Sequence, residues 1–127
     1  MKIAEGSHTA FRETIFQLLT ISGTLPTKLD DRVLVLAFSE FGRRVQENAS
    51  YGTDHGTAGP VILAGTKLAK REFGIAPSLT DLHDGDLKHS TDFREVYTAV
   101  LTDWLGLGLP KALQPFSSVR LFTNADV

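Results

Sequence analysis

Val33-Leu34-Val35-Leu36-Ala37-Phe38 is an unbroken apolar run, bounded by Asp30-Asp31 before it and Gly42 after it. Its length and branched residues fit a strand, and the absence of polar alternation fits burial on both faces. Pro60-Val61-Ile62-Leu63-Ala64-Gly65 reads the same way. Strands buried on both faces belong to parallel sheets covered by helices. The two runs therefore predict an α/β fold.

Helices are expected on either side of these runs. Over residues 8–21, Phe11, Ile15, Leu18 and Leu19 recur at steps of three and four and form one apolar stripe. Gly23 and Pro26 stop it, and residues 27–31 make a polar linker. The second helix has the clearest pattern: Phe93, Val96, Tyr97, Val100, Leu101, Trp104 and Leu105 hold the helical spacing over three turns. This spacing assigns Tyr97 and Trp104 to the core. Asp92 with Glu95 makes a capping-box pattern, with Thr91 as a rival cap. Gly106 suits the left-handed position after the helix, and Pro110 prevents its resumption. Residues 66–88 have no clean period and read as turns, with a short hairpin around Arg71. A last short strand is expected at Val119 to Phe122.

The totals set limits. A chain of 127 residues is one domain by length, and 42% hydrophobic with 22% charged residues is ordinary for a soluble globular protein. A formal charge of −2 without a concentrated basic face argues against nucleic acid as a partner. The absence of cysteine removes disulfides, thiolate metal sites and a thiol nucleophile. Residues 1–10 lack the basic start and apolar core of a signal peptide, and no apolar run approaches the ~20 residues of a membrane span.

Ligands of open α/β sheets gather beyond the carboxyl ends of the strands. The loop from Ser39 to Gly59 leaves the first strand there and holds Glu40, Arg43, Arg44, Asp54 and His55. His55 is a candidate metal ligand, with Asp54 as a second ligand or a group that orients the ring. Gly52, Gly56 and Gly59 would let the backbone close around an ion; the alternative is a glycine-rich turn with Asp54 capping the backbone. Glu40, directly after the first strand, is either a hard ligand or general base, or a strand-ending acid paired with Arg43 or Arg44. Arg43 is the candidate to grip a sulfate or phosphate, although at least one of the two arginines is expected in a surface ion pair. His89, before the second helix, is a further possible site residue, weighed against a polar loop leading into a cap.

Three stretches, VLVLAFSEFGRR, GTDHGTAGPVILAG and DLHDGDLKHSTDFREVYTAVLTDWLG, occur in this order. Together, over about residues 29–122, they resemble the C-terminal part of the bacterial family catalogued as domain of unknown function 1501. Members of that family usually carry a twin-arginine export signal, which implies a periplasmic or extracellular setting for full-length relatives. They are similar to the sulfatases and alkaline phosphatases. The resemblance implies a partial alkaline-phosphatase-like sheet and a parent that is a metal-dependent hydrolase of sulfate or phosphate esters. It also implies a divalent ion such as Zn, Ca, Mg or Mn, with Glu40, Asp54 and His55 at the metal edge and Arg43 on the anion.

The superfamily's Asp-His-Gly follows a strand directly, and a last His can precede the next strand. A literal mapping places that tripeptide on Asp54-His55-Gly56. A positional mapping places it on Glu40-Phe41-Gly42 and leaves His55 as the last His; it is preferred because a strand's end fixes a ligand in space, although Phe41 then replaces a histidine. The superfamily nucleophile has no counterpart here, nor does the glycine-rich run after ILAG, where Thr66 to Arg71 brings lysines. The expectation is a single α/β segment over 1–127, with residues 1–28 as helix and linker. It would be a C-terminal fragment without a catalytic nucleophile, inactive alone and completed by a missing N-terminal portion or by another copy of the chain. The alternative is a non-catalytic exported binding or assembly module that kept the fold.

Overall fold

The computed structural model describes Gln17 and residues 31–69 and 73–123. The helix expected over 8–21 lies outside the described residues except for Gln17, which is helical and exposed. The hairpin expected around Arg71 also falls outside them. The described chain divides into two compact units.

The first unit contains residues 31–37 and 62–67. The two apolar runs form strands β1 (Val35–Ala37) and β4 (Ile62–Ala64). They pair antiparallel, with Val35 opposite Ala64 and Ala37 opposite Ile62. This corrects the expectation of parallel strands buried on both faces: each residue of both strands is only half-buried. An apolar run marks a strand but not its direction, and a two-stranded ladder covers neither of its faces completely. Thr66 Oγ1 donates to Asp31 Oδ1 at 3.1 Å and ties the ends of this unit together.

The second unit contains residues 38–61, 68, 69 and 73–123. Strands β2 (Gly42–Glu47) and β3 (Thr53–Gly56) form an antiparallel hairpin. The register runs from Gly42 opposite Gly56 to Glu47 opposite Thr53, with extra residues bulging from β2 between Arg43 and Glu47. A second hairpin pairs β5 (Leu82–His83) with β6 (Asp86–Leu87). Its two-residue turn, Asp84-Gly85, has φ of 51° and 82°. Two positive φ values make the turn that matches strand twist, and Asp-Gly is a favoured sequence for it. Thr57 Oγ1 donates to the Leu87 carbonyl at 2.9 Å, joining the two hairpins.

Helix α1 (Phe93–Ala99) starts on the predicted capping box. Asp92 Oδ1 accepts from the Arg94 backbone at 2.9 Å, and Glu95 Oε2 accepts from the Asp92 backbone at 3.2 Å. Asp92 is therefore the cap, in preference to Thr91. The hydrogen bonds from the Arg94 side chain hold the Asp92 carboxyl down to about 2. Beyond Ala99 the helix widens to a π-helical turn over Val100–Trp104, closed by Leu105 N donating to the Val100 carbonyl at 3.0 Å. Gly106 follows at φ 63°, the left-handed stop expected from the sequence.

The core of this unit is Val96, Ala99, Leu121 and Phe122. Burying a large apolar side chain of this kind contributes about 1.5–3 kcal/mol. Trp104 packs on Phe122 with ring centres 5.4 Å apart. The last strand expected at 119–122 is reduced to a single bridge between Leu68 and Phe122, supported by Ala69 N donating to the Leu121 carbonyl. Tyr97 is only half-buried; it stands edge-on between Phe38 and Phe93, which are 57% and 58% exposed. Short antiparallel sheets with a helix make a mixed α/β chain. Among the described residues no helix is long and apolar enough to cross a membrane.

Candidate functional site

The β2–β3 hairpin carries most of the candidate residues. Its two strands meet at closely packed glycines. A Cβ on Gly42 would lie 1.6 Å from the Ala58 carbonyl oxygen, and one on Gly56 would lie 2.8 Å from the Arg43 carbonyl carbon. The space these glycines leave is filled by the neighbouring strand.

The far end of the hairpin is built around Asn48. Its Oδ1 accepts from the backbones of Ser50 and Gly52 at 3.0 and 3.1 Å. Its Nδ2 donates to Asp54 Oδ1 at 2.9 Å. The loop so formed presents Tyr51, 90% exposed and at φ 58°, a left-handed conformation unusual for a bulky residue. Sequence reading missed Asn48, although an Asn ahead of a tight loop is a common device for satisfying turn backbone.

Asp54 and His55 are neighbours on β3 and so project to opposite faces. Asp54 turns to Asn48. His55 stacks on Phe41, with ring centres 3.6 Å apart and planes 20° from parallel. Neither ring nitrogen of His55 is in a hydrogen bond among the described residues. Arg43 lies directly across from His55 in the ladder, with its guanidinium carbon 5.4 Å from the Phe41 ring centre. Its Nη1 donates to the Thr53 carbonyl at 2.9 Å. Phe41, Arg43 and His55 thus form one exposed cluster.

Arg44 serves a different purpose. Its Nη2 donates to the Asp84 carbonyl and pairs with Asp86 Oδ2 at 3.2 Å, linking the hairpins. This is the surface ion pair expected of one of the two arginines. Glu40 sits exposed in a bend after β1, without a hydrogen bond or ion pair among the described residues. His89 is exposed, and its electrostatic neighbour is Asp92. No described contact joins His89 to the Phe41–Arg43–His55 cluster. Among the described residues no three His, Asp or Glu side chains gather closely enough to hold a metal ion. The structure brings together Phe41, Arg43 and His55, and leaves Asp54 with Asn48.

A family model described as "Protein of unknown function (DUF1501)" matches residues 25–100. The chain belongs to the DUF1501 family. The matched segment covers both hairpins, strands β1 and β4, and α1, so the candidate cluster lies inside the DUF1501 region. No curated protein and no solved structure matches the chain.

Proposed function

We propose that this DUF1501 chain forms part of a sulfatase- or alkaline-phosphatase-like site for sulfate or phosphate esters, with the hairpin face of Phe41, Arg43 and His55 turned to the ester. The stack of Phe41 on His55 carries the reading. In the positional mapping these are two ligand positions of one superfamily metal site, and ligands of one ion must be close in space. Residues far apart in sequence meet here through the hairpin register. The literal mapping is less favoured: Asp54-His55-Gly56 lies within β3 instead of following a strand, and Asn48 engages Asp54.

The described residues do not complete a metal set. His55 offers a free imidazole and Glu40 a free carboxylate, but no third ligand joins them. A divalent ion, whether Zn, Mn, Ca or Mg, would need ligands from further polypeptide of a longer parent or from another copy of the chain. The same source would have to bring the nucleophile, so this chain alone should show little or no turnover. A partial alkaline-phosphatase-like sheet and an exported setting for full-length relatives belong to the same proposal. One observation favours the second reading, a non-catalytic binding or assembly module: an apolar ring occupies position 41, where chemistry would need a ligand.

Calorimetric titration with zinc and manganese tests the proposal. Phe41→His should tighten zinc binding by about tenfold or more, a gain worth about 1.4 kcal/mol. The double variant with His55→Ala should lose that gain. If Phe41→His binds zinc no better than the parent chain, positions 41 and 55 are not paired ligand positions, and the non-catalytic reading takes over.

A further inference from the structure

Directly opposed residues of antiparallel strands project from the same face, and Arg43 and His55 are such a pair. Both rest on one phenyl ring, that of Phe41. The bond from Arg43 Nη1 to the Thr53 carbonyl orients the guanidinium. It leaves Nε and Nη2 without a protein acceptor among the described residues. Among those residues no carboxylate forms an ion pair with Arg43 or His55, whereas Arg44 has Asp86. The adjacent acid, Asp54, points to the other face and is held by Asn48. The face therefore presents a permanent cation and an imidazole donor with no counter-charge of its own.

From this we infer that the chain binds a tetrahedral oxyanion, sulfate or phosphate, directly on Arg43 and His55, without an intervening metal. The guanidinium fork matches two oxygens of such a group, and the imidazole N–H donates to a third. The Phe41 ring forms an apolar floor that excludes water from one side and strengthens both contacts. Phe41 at a superfamily ligand position then means a change of binding chemistry, from ion-mediated to direct. The inference takes its ligand class from the proposed ester site but does not need a metal.

The test is titration of the full chain with sulfate and with phosphate, in EDTA and at ionic strength held constant with chloride. The readouts are calorimetry and the His55 ring resonances. Saturable binding is expected, together with shifts in those resonances. Arg43→Gln and His55→Gln should each weaken binding by about tenfold or more, since bonds to charged groups are worth about 1.5–3 kcal/mol. Arg120→Gln, which removes another exposed arginine, should change it less than about twofold. Zinc added without chelator should compete with the anion for His55.

Absence of saturable binding, binding only with zinc present, or equal losses in the Arg43 and Arg120 variants would each overturn the inference. Should Arg43→Gln fail to fold, Arg43→Lys keeps the charge without the fork. It should still weaken binding severalfold, and unchanged affinity there would equally defeat the proposal. Sulfate binding in EDTA with no zinc gain in Phe41→His would uphold this inference and defeat the metal reading. The opposite pair of results would do the reverse.

Discussion

Gly42→Ala should be among the most damaging small substitutions in this chain. The added methyl would sit 1.6 Å from the Ala58 carbonyl oxygen and 2.9 Å from the Ala58 nitrogen. Both obstacles are backbone, so no rotamer change relieves them. Ordinary contact requires the strand to retreat by about 2 Å, which opens the ladder at the Gly42–Gly56 pair and lifts Phe41 from His55. Ladder hydrogen bonds are worth about 1 kcal/mol each and an aromatic stack about 0.5–1.5 kcal/mol. The expected loss is about 3 kcal/mol, or on the order of 10 °C in melting temperature. Gly52→Ala is the control within the same hairpin. Its new methyl meets only Asn48 Oδ1 at 3.7 Å, and its backbone is not left-handed. It should cost no more than about 0.5 kcal/mol and stands to gain slightly by restricting the unfolded chain. Urea unfolding of both variants, with anion binding measured alongside, decides the matter. If Gly42→Ala unfolds within about 1 kcal/mol of Gly52→Ala, the close strand approach that seats the Phe41–Arg43–His55 cluster is not real.

Three other outcomes are expected. Tyr51→Gly should stabilise the chain by about 1 kcal/mol in chemical unfolding, because Tyr51 holds a left-handed backbone at φ 58° while making little contact at 90% exposure. Asp92 has its pKa lowered from 3.8 to about 2 by the Arg94 hydrogen bonds, so its stabilisation is present above about pH 4 and lost as pH falls toward 2. Asp92→Asn, which keeps a cap acceptor but no charge, should flatten the unfolding profile across that window; an unchanged slope would count against the pairing. Arg44→Met should cost about 1–2 kcal/mol, a figure discounted because Arg44 is 40% exposed, although its partner Asp86 is only 17% exposed. Proteolysis near residues 82–87 should quicken in parallel, and a stable, resistant Arg44→Met would show that the hairpins do not depend on this link.

Helix α1 was the most legible element because its information is local. Asp92, Glu95 and Gly106 each act within a few residues, and helical spacing needs no partner to be recognised. Strands β1 and β4 were legible as places but not as a pair. Their apolar runs state that burial occurs, while direction depends on a neighbour that periodicity does not name. The Asp84-Gly85 turn was available in the sequence, but scattered Asp and Gly over 66–88 obscured it. The candidate cluster was legible only residue by residue. His55 and Arg43 stood out by their chemistry, whereas Phe41 was read as a lost ligand and not as the surface on which both rest. That placement follows from a hairpin register with a bulge, which no short motif encodes. Asp54, spelled like half of a metal pair, is instead drawn away by Asn48, a residue with no catalytic signature.

The π-helical turn over Val100–Trp104 makes the chain sensitive to length in a way that composition does not reveal. A wide turn of this kind holds one residue more than an α-helical turn. Deleting a single residue there would return the segment to an ordinary helix while rotating everything after it by about 100°. Trp104 would swing off Phe122, although every apolar side chain could still be present. Along this stretch substitutions among apolar residues should be forgiven, and one-residue deletions should not.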